Sequence, residues 1–457
     1  MNMLKIVGKD FFVGNEKYTF EDLYTEDFYP YSNSKADLFK NDLFCVNESY
    51  SSITQKYYAI EFFIKKHNVT FVDFCKADSV FKLFAVGICK QNGIKYKGSA
   101  CWAHMKLSLF AAVYRFVSMG YLLYLMLRMP KSSDKIEVSE EFAVLRQKSA
   151  IQKFKAFDNI SKEYEDPYSK ISVYRFYSRW QRVIWVINAY IDTFCYRSKM
   201  KRAYCDLLGN HIIAAFDMHY QKRMVHGLLY GYLMDAYMSN FANKTYYTGS
   251  NLDRFSVIED KIAKKYNIKT TCLPHGLEYG YKFPQGFSCD VFYANSQYAA
   301  DHLNKLYNTS KYVYDDGITD KMFRLRDSAP HERNVVYFTE QQEVYVNKNI
   351  LNAIIKPLSE KGIKVLVKLH PGDSKSNYHD CDFEYITDYA KAMTNNICVS
   401  RKSTVLLEAV YNNSTSIAII TTNKDRNVFE TFPSLKSDKI IKTYSTDDLL
   451  EQILKHY

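Results

Sequence analysis

The chain has 457 residues, and its 61 lysines and arginines outnumber its 50 aspartates and glutamates, for a net charge of +11. Apolar residues make up 47% and charged residues 24%, which excludes an intrinsically disordered chain. Aromatic residues reach 16%, while only 9 Pro and 16 Gly exclude collagen-like and low-complexity classes. This length predicts two or three domains.

The first hundred residues predict an α/β unit. The segment NVTFVDF at 68–74 is typical of a buried strand, and the residues that follow, up to Lys90, predict a helix. The N-terminus lacks a long apolar stretch followed by a small-residue cleavage site, and the ten cysteines include no CxxC pair. These features predict a cytoplasmic protein without a disulfide framework.

Residues 103–240 predict a large helical insertion, because they are aromatic and almost free of Gly and Pro. Residues 107–127 contain one charge, Arg115, and the uncharged part is shorter than the roughly 20 residues of a membrane span, which favours a buried or interfacial helix. Residues 171–202 hold seven Lys or Arg against one acid, Asp192. This stretch indicates an anionic membrane surface as partner, or an amphipathic helix with a solvated basic face. No nucleic-acid motif is present, so nucleic acid is not predicted as a partner.

Alternating strands and helices return after residue 244 and predict parallel sheets, hence an α/β fold class. The polar residues 325–333 predict a boundary between an N-terminal domain, 1–328, and a C-terminal domain, 329–457. Strands are predicted at 244–249, 268–273, 290–294, 334–338, 364–369, 383–386, 397–400 and 416–421. Helices are predicted at 255–266, 297–307, 347–361, 388–393, 404–411 and 446–455.

One motif follows the predicted strand at 364–369. His370 stands directly after this strand, Lys368 adds positive charge near its end, and Pro371 stops it and fixes the loop. A histidine in this position can donate a hydrogen bond to a phosphate. A strand-ending turn with an exposed histidine would give the same sequence.

A second motif opens the predicted helix at 404–411. Ser403 and Thr404 are suited to cap this helix, and the free N–H groups of a helix N-terminus bind phosphate. Glu408 lies four residues after Thr404 on the same face, where it can accept hydrogen bonds from ribose hydroxyls. An ordinary capped helix is the alternative, and the upstream His370 favours a phosphate site over it.

Two further motifs are candidates for proton transfer and acceptor binding. His275 follows a predicted strand, and the reference pKa of histidine suits a general base. Asp315 and Asp316 precede a glycine, and paired carboxylates raise one another's pKa. A loop histidine and an Asp-Asp-Gly turn are the alternatives. Asn251, in a loop after a predicted strand, is a candidate for contact with an acceptor.

Together these motifs resemble those of bacterial GT-B glycosyltransferases that assemble capsule and other surface polysaccharides. The similarity is to sialyl- and polysialyltransferase-like enzymes that use CMP-sugars and, more distantly, to CDP-glycerol transferase-type enzymes. It covers about residues 244–425. The residues that carry it are His370-Pro371, Ser403-Thr404, Glu408, Asp315-Asp316-Gly317 and Pro274-His275-Gly276.

The resemblance implies a GT-B-like fold, with two Rossmann-like domains facing a cleft, and a reaction without metal or cofactor. The C-terminal domain would bind the nucleotide-sugar donor, and the N-terminal domain a glycan or lipid-linked glycan acceptor. An acceptor hydroxyl would attack the anomeric carbon of sialic acid, Kdo or a related acid sugar, and the leaving CMP phosphate would be stabilised by His370. The implied donor-binding residues are Lys368, His370, Pro371, Ser403, Thr404 and Glu408, and the implied acceptor-binding residues are Asn251 and Asp315.

The spacing of the acidic motif departs from that family. Asp316 lies 54 residues before His370, closer than the corresponding motifs of those sialyltransferases. The identity of the catalytic base is therefore open between His275 and Asp316.

Two other functions fit the same motifs. A CDP-polyol phosphotransferase of the teichoic-acid type would share the His-Gly and His-Pro motifs and form a phosphodiester. A non-catalytic GT-B protein would act as a membrane-docked partner in a polysaccharide assembly complex. Either way, the predicted location is the cytoplasm, with peripheral contact to the inner face of the cytoplasmic membrane.

Overall fold

The chain forms two compact units, each of which is assembled from several segments. The computed structural model describes residues 2–19, 23, 50–165, 172–250, 253–274, 276–280, 289–325, 331–341 and 343–457. The first unit comprises Met1–Ile151, Asp158–Leu273 and Tyr281–Phe292, and the second comprises Gln152–Phe157, Pro274–Gly280 and Tyr293–Tyr457. The predicted domain ranges 1–328 and 329–457 stay a prediction, because compactness does not show which segment folds alone.

A five-stranded sheet opens the first unit. Its order is β3-β2-β1-β4-β5, with β1 antiparallel to β2 and parallel to β4. Its strands and the helices connected to them are β1 (Met3–Gly8), β2 (Asp10–Val13), β3 (Glu16–Tyr18), α1 (Gln55–Lys66), β4 (Phe71–Ala77), α2 (Ser79–Gln91) and β5 (Lys95–Lys97).

A second, parallel sheet follows, and long helices surround its first strands. Its order is β11-β10-β9-β8-β6-β7. The elements are α3 (Cys101–Arg128), β6 (Glu141–Leu145), α4 (Lys148–Phe154), β7 (Ser161–Tyr164), α5 (Arg179–Leu208), α6 (Ile213–Met238), β8 (Thr245–Thr248), α7 (Arg254–Lys265), β9 (Lys269–Cys272), β10 (Val291–Tyr293), α8 (Gln297–Tyr307), β11 (Tyr312–Val313) and α9 (Asp316–Phe323).

The second unit contains a third sheet, which is parallel throughout. Its order is β13-β12-β14-β15-β16. Its elements are β12 (Val335–Phe338), α10 (Val344–Ser359), β13 (Val365–Lys368), α11 (Tyr389–Met393), β14 (Ile397–Ser400), α12 (Val405–Val410), β15 (Thr415–Ile419), α13 (Asn423–Thr431), β16 (Ile441–Thr443) and α14 (Thr446–His456).

Helices cover both faces of this third sheet. Along β12, Val335 and Tyr337 enter one core cluster, while Val336 and Phe338 enter another. The first cluster contains buried residues of α10 and α14, and the second contains residues of α11 and α12. Because both faces are buried, its strands are continuous apolar runs, as expected for a doubly wound parallel sheet.

The predicted α/β class with parallel sheets and a large helical region is confirmed. Two element predictions differ from the structure. The predicted all-helical stretch at 103–240 also contains β6 and β7, two strands of the second sheet. The predicted strand at 383–386 is reduced to a single bridge between Val367 and Tyr385. Short strands between long helices leave too little periodic pattern to be recognised.

Candidate functional site

The order of the third sheet creates a switch point at its carboxyl edge. The chain leaves β12 for β13 on one side, and returns to β14 on the other side of β12. Crossover helices therefore run on opposite faces, and a crevice opens between the loops that follow β12 and β14. Ligands of open α/β sheets bind in this type of crevice, so its residues form the candidate site.

His370 follows β13 and is exposed at this edge. Its Nδ1 accepts a hydrogen bond from the backbone N–H of Gly372 at 3.0 Å. In the neutral ring this leaves the proton on Nε2, which can donate to a ligand. The backbone N–H of His370 donates to Thr339 Oγ1 at 3.0 Å, which ties the loop to the end of β12.

A buffered network below His370 fixes this loop. Asp373 Oδ2 accepts hydrogen bonds from the hydroxyls of Thr339 and Tyr378, each at 2.7 Å, and Oδ1 accepts one from Asn377 at 2.8 Å. Burial acts to raise the pKa of Asp373, but these hydrogen bonds outweigh it and hold the pKa below its usual range. The carboxylate therefore stays ionised and keeps the loop in one conformation.

Arg401, the first residue after β14, is fully buried at the switch point. Its Nη2 donates to Asp425 Oδ1 at 2.8 Å and to Glu343 Oε2 at 2.7 Å. Burial alone would lower the pKa of Arg401, but the two carboxylates outweigh it and raise the pKa. The ion pair with Glu343 joins the loop after β12 to the loop after β14, and thereby spans the crevice.

Two buried polar atoms near this ion pair lack hydrogen-bond partners. They are Nη1 of Arg401 and Oε1 of Glu340. Phe338 pairs with Ser400 across the two strands, so the following residues of both strands lie side by side. Burial raises the pKa of Glu340, against the opposing effect of the nearby Lys402 and Arg401. An unsatisfied buried donor and acceptor cost free energy, which a bound polar ligand would recover.

The residues predicted to bind the donor have the following partners. Thr404 is the N-cap of α12, but its side chain makes no capping bond; instead, Ser403 Oγ accepts from the backbone N–H of Val405 at 3.4 Å. Glu408 accepts a hydrogen bond from the hydroxyl of Tyr389.

The side chain of Lys368 is also engaged, since its Nζ donates to the backbone carbonyl of Thr387 at 2.6 Å. Pro371 is exposed beside His370. His370 and Ser403 thus follow strands that flank β12 on its two sides. At the spacing of parallel strands, this places the two motifs roughly 10 Å apart along the sheet edge.

The paired aspartates have structural partners. Asp315 caps α9 by accepting from the backbone N–H of Ile318 at 2.9 Å. Asp316 is exposed and accepts hydrogen bonds from Lys439 at 2.6 Å and from Tyr411 at 3.2 Å, and also from Tyr314. The hydrogen bonds of Lys439 and Tyr314 lower the pKa of Asp316. A carboxylate with a lowered pKa is a weak proton acceptor at neutral pH.

His275 and Asn251 lie outside the described residues. The residues on either side of His275 are anchored, however. Lys153 Nζ donates to the Pro274 carbonyl at 2.9 Å, and Asn295 Nδ2 donates to the Gly276 carbonyl at 3.0 Å. The predicted roles of His275 and Asn251 stay predictions.

Sequence reasoning missed the acidic part of this site. Glu340, Glu343 and Asp425 were not predicted, and Arg401 was treated as an exposed charge. A signal was available, since two glutamates follow a buried apolar strand at the point where a parallel sheet presents its ligands. Among the described residues, no group of three or more His, Cys, Asp or Glu side chains is placed to hold a metal ion.

No family model and no curated protein matches the sequence. Among solved structures, the chain is similar to UDP-N-acetylglucosamine 2-epimerase from Rickettsia bellii, with a TM-score of 0.37 and 12% sequence identity. The similarity covers 70% of this chain and 88% of that chain. A likeness this remote carries no inference about the reaction or the substrate of this protein.

Proposed function

We propose that the protein is a glycosyltransferase whose nucleotide-sugar donor binds at the carboxyl edge of the third sheet. The observation that carries this proposal is the pair of buried, unsatisfied polar atoms on Arg401 and Glu340 at the switch point. A nucleotide supplies both complements, because its phosphates accept hydrogen bonds and its ribose hydroxyls donate them.

Each side of the crevice then has a separate task. His370 donates from Nε2 to a donor phosphate and stabilises the charge that develops as the nucleotide leaves. Arg401 adds positive charge from the other side of β12, and Glu340 accepts from a ribose hydroxyl. An acceptor hydroxyl loses its proton to a base and attacks the anomeric carbon, and the nucleotide leaves with the bonding electron pair. The lowered pKa of Asp316 favours His275 as that base.

The finer proposal is a CMP-activated donor carrying an acid sugar, such as sialic acid or Kdo, and an acceptor that is a surface glycan or its lipid-linked precursor. Its support is the motif resemblance of His370-Pro371 and Ser403-Thr404. A CDP-polyol phosphotransferase shares these motifs and is the second candidate; a phosphate in the product linkage would identify it.

A thermal-shift series with CMP, CDP, UDP and GDP tests nucleotide binding, because a ligand of the native state raises the melting temperature. We expect CMP to give the largest shift and His370→Ala to reduce it. His379→Ala is the matched control, since His379 is an exposed histidine of the same segment and should leave the shift unchanged. A response to UDP alone would contradict the CMP assignment, and no response to any nucleotide would overturn the donor site.

A further inference from the structure

The first unit exposes a broad apolar face on α3 and α5. Trp102, Leu109 and Phe116 of α3 are 79%, 62% and 70% exposed. Trp180, Ile184 and Ile191 of α5 are 74%, 53% and 54% exposed, at the three- and four-residue spacing of one helix face. A helix of a globular protein normally turns such a stripe toward the core. An exposed face of this size marks an interaction surface.

The inner side of α3 is already occupied. Leu107, Leu122 and Met126 are buried, and the hydroxyl of Ser118 donates to the carbonyl of Gln221 on α6 at 3.5 Å. The helix is long and apolar enough to cross a membrane by length and composition. Because one side packs on the polypeptide, only its outer side is available to lipid. This arrangement favours a helix lying along a membrane surface over a helix crossing it.

The two helices are strongly basic. The α3 segment contains three Lys or Arg and no Asp or Glu, and the α5 segment contains six Lys or Arg and two Asp. One of those aspartates, Asp192, accepts a hydrogen bond from Tyr232 at 2.7 Å. Lys106, Arg179 and Arg202 remain exposed on the same helices. Two copies of so basic a face repel each other, so charge favours an anionic partner over a second copy of the chain.

The aromatic residues point to the same partner. Two of the three tryptophans of the chain, Trp102 and Trp180, are the most exposed large apolar side chains of this face. Tryptophan and tyrosine favour the headgroup layer of a bilayer, where the ring is half apolar and half hydrated. Arg115 stacks on Phe194 at 4.5 Å, which joins α3 to α5 as one surface.

We propose that the α3–α5 face docks on an anionic lipid bilayer. The apolar side chains enter the headgroup layer, and the lysines and arginines around them contact anionic headgroups. The inference stands independently of the donor site, because it uses only residues of the first unit.

Sedimentation with vesicles tests this surface, using phosphatidylcholine alone and phosphatidylcholine with about 30% phosphatidylglycerol. We expect binding to the anionic vesicles, with a blue shift of tryptophan fluorescence. The double variant Leu109→Ser/Phe116→Ser should weaken binding at least about tenfold, and Lys106→Glu about fivefold or more. Leu454→Ser and Lys455→Glu on α14 are matched controls, exposed residues outside this face that should bind as the parent does.

The outcomes separate the occupants of this face. Equal binding to neutral and anionic vesicles would overturn the anionic preference, and absence of binding to both would overturn the membrane proposal. A dimer in solution that Leu109→Ser/Phe116→Ser converts to monomer, without vesicle binding, would assign the face to a second copy. The melting temperature of each variant shows that loss of binding is not loss of folding.

Discussion

At the scale of single residues, the two parallel sheets share one arrangement. Arg146 follows β6 and is ion-paired with Asp253 and Glu259, as Arg401 follows β14 and is ion-paired with Glu343 and Asp425. In both places a guanidinium is buried against two carboxylates at a carboxyl edge. Such a group is stable only while all three members remain, because removal of one leaves buried charge unpaired.

Substitution of Arg401 tests this dependence. Arg401→Ala should lower the free energy of unfolding by about 3–5 kcal/mol, because Glu343 and Asp425 lose their partner. Arg401→Lys should cost about 1.5–3 kcal/mol, because an ammonium cannot reach both carboxylates as a planar fork does. Denaturant unfolding measures both. Arg426→Lys is the control at an exposed position, and equal stabilities for all three variants would refute the role of the ion pairs.

His219 makes stability depend on pH. Burial, assisted by Lys56, Arg223 and Lys222, lowers the pKa of His219 to about 3. The unfolded chain titrates near 6.5, so below that pH the unfolded state binds a proton that the native state does not. Stability therefore falls on acidification, by about 2 kcal/mol between about pH 6.5 and 5. His219→Gln should flatten this slope in denaturant titrations, and the exposed His104→Gln should not.

The sequence was sufficient to place His370 and Ser403 at the ends of strands, because apolar runs that end in polar loops identify a parallel sheet. It was not sufficient to show that Arg401 is buried. Formal charge predicts exposure, and burial of an arginine depends on carboxylates that come from distant loops, here Glu343 and Asp425. Those partners meet only once the order of the strands is known.

At the scale of elements, periodicity predicted the helices well where one face is apolar. The helix at 297–307 has the predicted bounds, and its cap Ser296 accepts from the backbone N–H of Ala299 at 3.1 Å. The short helix at 423–431 and the strand at 441–443 were missed. A three-residue strand has no period to detect, and its position depends on pairing with β15.

Close packing on α2 gives a prediction at this scale. A Cβ at Gly87 would lie 2.0 Å from the imidazole of His211, which stacks on Tyr57. Gly87→Ala should therefore lower the free energy of unfolding by about 1–3 kcal/mol, despite the better helix propensity of alanine. Gly120→Ala on α3 is the control, because nothing lies within 4 Å of its added Cβ. The double variant Gly87→Ala/His211→Ala should cost less than the two single costs added together, and strict additivity would contradict the clash.

At the scale of the whole molecule, the net charge and aromatic excess have different locations from the donor site. The most exposed apolar residues lie on α3 and α5 of the first unit, whereas the third sheet places its charges in buried ion pairs. Sequence reasoning associated the basic aromatic stretch with a membrane surface. It could not show that α3 presents a second apolar side outward, because a helix that is apolar all round has no moment to indicate which side is buried.

The composition of the second unit predicts how the chain tolerates truncation. Glu278 is buried in this unit, where Ser434 donates to it, and the backbone N–H of Gly280 donates to the Thr431 carbonyl at 2.6 Å. A fragment that begins at residue 329 loses these partners and uncovers the core side of Phe323. We expect fragment 274–457 to unfold in a cooperative thermal transition and fragment 329–457 to melt at a lower temperature without one, as followed by circular dichroism. Equal melting curves would show that the segment 274–280 is dispensable and would support the boundary predicted from sequence at residue 329.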